Sequence, residues 1–148
     1  MRMKSREGGR LAFGIVTCGA LCLTSLLSFA AFGATLSIAM VPVPESGTTA
    51  EIPITLTTGN SEEVAGVQLD IRFSGEVLSL ESVAAGDAAE AADKEVRYNT
   101  LDSDSARIIV GGFNLNRIEN GVIVVLRFKL TSASVDADVP VQAEHVIL

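Results

Sequence analysis

From Leu36 onward apolar side chains return at every second position, and that period decides the fold class. Leu36, Ile38 and Met40 alternate with Ser37 and Ala39. Ala50, Ile52, Ile54 and Leu56 alternate with Glu51, Pro53, Thr55 and Thr57, and Val67, Leu69, Ile71 and Phe73 alternate with Gln68, Asp70 and Arg72. Most regular of all, Val124, Leu126, Phe128 and Leu130 oppose Arg127 and Lys129. A period of two is that of a strand with one buried face, whereas a helix would repeat every ~3.6 residues. Weaker strands are predicted over 77–83, 96–101, 106–113 and 139–148. Pro53 has no N–H for a ladder, so its strand should lie at an edge or begin its pairing there.

The segments between are short. Residues 74–76 and 102–105 read as turns, 114–121 as a loop and 132–138 as a polar linker. Residues 84–95 are alanine-rich but lack a broad apolar stripe, which predicts a surface loop with at most one helical turn. About eight strands without a long helix specify an all-β, two-layer antiparallel β-sandwich, of jelly-roll or immunoglobulin-like topology. The sequence stops on Val146-Ile147-Leu148 in mid-strand, so a final strand is expected to be missing.

Residues 1–33 do not fit that pattern. Arg2, Lys4, Arg6 and Arg10 precede an uncharged stretch from Leu11 to Leu27, and Ala31-Phe32-Gly33 then sets small residues where a leader peptidase reads them. Cleavage before Ala34 is predicted, with Ser28-Phe29-Ala30 as a second candidate. The alternative is an uncleaved membrane anchor, since residues 11–34 match the ~20 needed to span a bilayer. Both place domain 34–148 outside the cytoplasm: secreted, at the cell surface or periplasmic. Ile15-Val16-Thr17 before Cys18 and Gly19-Ala20-Leu21 before Cys22 do not resemble the approach to a lipidated cysteine.

Charge then narrows the function. The chain holds 11 basic and 18 acidic residues. Removing the leader's four bases and Glu7 leaves 7 basic and 17 acidic residues, a net charge of -10. Nucleic acid requires a cationic footprint, so it is excluded as a partner. Attraction to an anionic bilayer is disfavoured for the same reason, leaving membrane contact only through an uncleaved N-terminal segment.

Catalysis finds little support. Both cysteines lie in the leader, His145 is the single histidine, and no Gly-x-Ser-x-Gly occurs. Thiolate chemistry, a multi-histidine metal site and a nucleophile elbow are thereby removed. The acidic pairs Asp102/Asp104, Asp136/Asp138 and Glu62/Glu63 sit in turn-like stretches, where local hydrogen bonding selects such residues. No enzyme activity, cofactor or metal is expected. Past the leader there is no Trp, one Tyr (Tyr98) and three Phe (Phe73, Phe113, Phe128), all three Phe on the apolar side of their strands. A platform for stacking sugar rings is therefore scarce, which favours a protein partner over a glycan.

Two segments carry a family resemblance. Residues 66–83, Gly66-Val67-Gln68-Leu69-Asp70-Ile71-Arg72-Phe73 through Val77-Leu78 to Val83, are followed by Gly86-Asp87. Arg107-Ile108-Ile109-Val110, a loop, and Ile118-Glu119-Asn120-Gly121-Val122-Ile123 then run into Leu126-Arg127-Phe128-Lys129-Leu130. In order and spacing these segments resemble the cohesin family over roughly residues 35–148. The resemblance implies a jelly-roll sandwich of nine strands and a non-catalytic protein-binding role. In cellulosomes the bound module is a dockerin, held on one flat sheet face. It also keeps open a carbohydrate-binding module of related fold, attached to extracellular polysaccharide. Cohesins often place an Asn and an Asp on the strand matching 66–72, where this chain has Gly66 and Gln68. Carrying the face over nominates Gln68, Asp70, Ile108, Val110 and Asn114 as partner-binding residues, with Ile108 and Val110 forming an outward apolar patch.

Overall fold

A computed structural model describes residues 29–31, 33–39, 49–59, 62–131 and 141–148. Residues 1–28 of the leader predicted over 1–33, Met40 and the 132–138 linker with Asp136 and Asp138 lie outside the described residues. Strands β1 (Phe29–Ala31), β2 (Ala34–Ile38), β3 (Thr49–Thr57), β8 (Gly121–Leu130) and β5 (Leu78–Ala85) form one sheet, in the order β1-β2-β3-β8-β5. Strands β6 (Glu95–Asp102), β7 (Ser105–Gly111), β4 (Val67–Arg72) and β9 (Gln142–Ile147) form the other, in the order β6-β7-β4-β9. All described pairings are antiparallel. The expected all-β sandwich is what the chain forms.

The period-two sets supply the core. Leu36, Ile54, Leu56, Leu69, Ile71, Val124, Leu126 and Phe128 are all at most 1% exposed. Phe73 meets Phe128 edge-on, ring centroids 5.0 Å apart, the arrangement their quadrupoles favour. The alanine-rich segment contains one short helix, α1 (Asp87–Ala91), which buries Ala88 and Ala89 beside β8. Gly86 opens that helix because a Cβ there would collide with the Val122 carbonyl.

Pro53 lies on an interior strand, flanked by β2 and β8. Its carbonyl accepts the Ala39 N–H (3.3 Å), so its donorless nitrogen faces the β2 side. The β2–β3 register ends at Ile38↔Ile54, just before Pro53. The missing N–H thus falls where β2 pairing stops, and the second of the two sequence expectations holds.

One core expectation fails. Phe113 is fully exposed, while Leu69 and Phe128 are fully buried. β7 ends at Gly111, and the backbone leaves the sheet through Gly112 before Phe113. The strand's alternation does not carry across the glycine pair.

Candidate functional site

The four-stranded sheet has one face on the core and one outward. Side chains on β7 alternate: Ala106, Ile108 and Val110 are buried, and Arg107 and Ile109 are exposed. Ile108 (0% exposed) and Val110 (1%) therefore belong to the core, correcting their nomination as outward residues. The outward residue between them is Ile109, 45% exposed. The register explains the phase: Asp70 pairs with Arg107 and Gln68 with Ile109, so the charged pair lies outside and fixes its neighbours.

Gln68 and Asp70 do face outward. Across the sheet Arg97, Ile109, Gln68 and Ile147 form one row, and Asn99, Arg107, Asp70 and Glu144 the next. In that second row Arg107 donates to both oxygens of Asp70, Nε to Oδ1 at 2.7 Å and Nη2 to Oδ2 at 2.8 Å. This two-pronged hydrogen bond holds the Asp70 carboxyl below its usual range and raises the Arg107 guanidinium. Asp70 is 8% exposed, with His145 Nδ1 3.6 Å from Oδ2. The carboxylate is thus engaged within the sheet, and Arg107 is the group it presents to solvent. His145 has φ +49 beside a register shift in the β4–β9 pairing, the local distortion of a bulge.

The β7–β8 loop is tied to the domain by its asparagines. Along residues 113–120 Ile118 is buried, Asn114 is half-buried, and Asn116 and Asn120 are exposed but hydrogen-bonded to the body of the domain, while Phe113, Leu115, Arg117 and Glu119 are exposed. Lys94 is only 5% exposed, and its ammonium donates to Asn114 O (3.0 Å) and Asn114 Oδ1 (2.7 Å). Asn114 Nδ2 donates in turn to Asp93 O (2.8 Å). Asn116 Nδ2 reaches Ala92 O (3.2 Å), and Ile118 N–H reaches Val64 O (2.8 Å). At the far end Thr58 donates from N and Oγ1 to Asn120 Oδ1 (2.7 and 2.8 Å). Anchored at each second residue, the loop holds Phe113 and Leu115 almost wholly in solvent.

Asn114, nominated as a contact residue, is the loop's main anchor. Beside it Glu95, Arg97, Ile109, Gly111, Gly112 and Phe113 line an open cleft of about 210 Å³. The charges around this apolar ground are paired internally, Arg97 with Glu95 (2.8 Å) and Arg117 with Glu119 (3.4 Å). The signal that reveals the loop is in the sequence: Asn at 114, 116 and 120, with Phe113 just before the first and Leu115 between the first two. Turn composition hides it.

The model of the Cohesin domain matches residues 34–146. The chain belongs to the cohesin family. Among solved structures the fold resembles the sixth cohesin of Acetivibrio cellulolyticus scaffoldin B, there in complex with a Cel5 dockerin mutant. That match has a TM-score of 0.67 and 17% identity, covering 76% of this chain and 82% of the other. It also resembles a Clostridium thermocellum cohesin in the Coh-OlpA-Doc918 complex, with TM-score 0.62, 16% identity and coverage of 74% and 81%. The solution structure of CaCohA2 from Clostridium acetobutylicum gives TM-score 0.59, 19% identity and 68% coverage of both chains. None of the curated proteins matches this cohesin in sequence.

Proposed function

We propose that this cohesin is an exported, non-catalytic module that binds a protein partner through the outer face of the β6-β7-β4-β9 sheet and the adjoining 113–117 loop. The observation that carries the reading is that loop: its asparagines are hydrogen-bonded to the body of the domain while Phe113 and Leu115 are held out in solvent. Leaving two large apolar side chains in water forgoes about 1.5–3 kcal/mol each that burial would contribute. Local rules are broken in this way mainly at functional sites. Ile109 and the cleft beside Phe113 continue the apolar ground onto the sheet, where Gln68 and Arg107 supply polar contacts.

A dockerin is the partner class, by analogy with the cohesin–dockerin complexes of similar fold. Since Arg97, Arg107 and Arg117 are each paired within the chain, recognition depends more on apolar contact than on charge, and its salt dependence is shallow. Isothermal titration of the full-length protein with a panel of dockerin modules tests this. Saturable binding that weakens at least tenfold in the Phe113→Ser/Leu115→Ser double variant is expected. A panel that produces no binding in the native protein sinks the reading.

A second reading has one observation behind it. Phe113, fully exposed beside a cleft carrying Arg97 and Glu95, is an aromatic face of the kind that stacks on sugar rings. Retention on insoluble polysaccharide, lost in Phe113→Ser, would favour it over a protein partner.

A further inference from the structure

β7 runs out through two glycines, and the fold accounts for one of them. A Cβ on Gly112 would meet the Asp93 carbonyl oxygen at 3.2 Å, so that position is narrow. A Cβ on Gly111 would meet nothing within 4 Å. Among the described glycines Gly111 stands alone in this, since each of the others would bring a Cβ to within 3.7 Å of a neighbour. Its backbone makes no demand either: the described glycines with positive φ are Gly33 and Gly121. Yet Gly111 pairs with Glu95 inside the ladder, where a glycine weakens a strand through its chain entropy and its missing side chain. Nothing within the chain calls for glycine there.

What the missing side chain leaves open is the cleft. Gly111 shares the outward phase of Arg107 and Ile109, and it lines the cleft together with Ile109 and Phe113. The cleft measures about 210 Å³. An apolar cavity of about 150 Å³ holds one benzene ring, whereas sites for whole small molecules begin near about 300 Å³. The space therefore suits one large side chain. The two charges beside it, Arg97 and Glu95, are bonded to each other at 2.8 Å, so an apolar occupant is favoured over an ion. We propose that Gly111 is a specificity-determining residue of the docking face. Its lack of a side chain forms a socket that takes one large apolar side chain of the bound protein, aromatic or branched aliphatic, between Ile109 and Phe113. The inference rests on the docking reading above and adds to it what the partner must carry at this point. Seating that anchor withdraws from water two apolar side chains that the free protein leaves exposed.

The test measures stability and affinity in the same variants of the full-length protein. Gly111→Ala and Gly111→Val should melt at or above the native temperature, because the added atoms meet open space and a strand prefers either residue to glycine. Isothermal titration then uses a dockerin module that binds the native protein. Gly111→Val should weaken that binding about tenfold or more, the scale of an overpacked contact, and Gly111→Ala should weaken it less. Large apolar residues of the module are next trimmed to Ala one at a time. One of them should weaken binding to the native protein and change binding to Gly111→Val little further, as two changes in one contact do.

Native-like affinity in Gly111→Val overturns the socket and leaves the docking reading standing. So do losses that simply add for every trimmed module residue, and so does a lowered melting temperature in both variants, which would show that the glycine serves the fold. A native protein that binds no module overturns both readings. If that protein is instead retained on insoluble polysaccharide, and Gly111→Val abolishes the retention, the cleft holds a sugar ring and the side-chain anchor is overturned.

Discussion

Arg107 grips Asp70 with two parallel hydrogen bonds on the outer face of the four-stranded sheet, and this pair orders the surface around it. It sets which residues of β7 face out, because its register partners must share its face. It also removes the Asp70 carboxylate from direct use by a partner.

The pair makes a pH-dependent contribution of known sign. The Asp70 carboxyl is held below its usual value of 3.8, chiefly by the Arg107 hydrogen bonds. A depressed carboxyl stabilises the folded state at pH above its unfolded value, and that contribution disappears as pH falls through the folded value. Native protein should therefore melt above Asp70→Asn at pH 6–7, with the gap closing below about pH 4, the unfolded carboxyl range. Melts from pH 7 to pH 2 check this. A gap that widens on acidification contradicts it.

Neighbouring isoleucines should behave oppositely. Ile108→Ala empties a fully buried site and should cost about 2–5 kcal/mol, by comparison with core deletions elsewhere. Ile109→Ala trims an exposed side chain and should change stability by less than about 1 kcal/mol while weakening partner binding. Urea denaturation of both variants decides the phase of β7. Equal losses, or the larger loss at Ile109, would return Ile108 to the outer face.

Where the sequence was legible and where it was not follows from what neighbours each residue. In β8 Arg127 and Lys129 punctuate the alternation, so the core side could be read directly. Ile108-Ile109-Val110 has three β-branched residues in a row, and nothing inside the run gives its phase. The phase comes from Arg107 through its cross-strand bond to Asp70, a contact between residues 37 apart. Gln68 was placed outward correctly because it lies between Val67 and Leu69. Phe113 was misread because the period was extended through Gly111-Gly112. Pro53 was legible down to its alternatives, and the choice between them needed the end of β2.

Lys94 and Asn114 should couple the loop to binding. Asn114→Leu takes from the loop the side-chain contacts to Lys94, Asp93 and Asn116 and leaves a buried ammonium short of an acceptor, costing about 1–3 kcal/mol. Lys94→Met removes the buried charge and its donors, leaving the neutral Asn114 O and Oδ1 short of a donor, and should cost less in stability. Both should speed amide exchange at Asn116, whose N–H rests on Asn114 Oδ1 in a segment the lysine secures. Exchange unchanged in both variants would show that the loop holds Phe113 outward by other means.

The most direct measurement is a methyl and amide NMR footprint of the native protein titrated with a dockerin module that binds it. Shifts should concentrate at Gln68, Arg107, Ile109, Phe113 and Leu115, leaving Thr55, Ser79 and Lys129 on the opposite sheet unmoved. Shifts gathered on the β2-β3-β8-β5 surface instead, with Ile109 and Phe113 silent, would contradict the account.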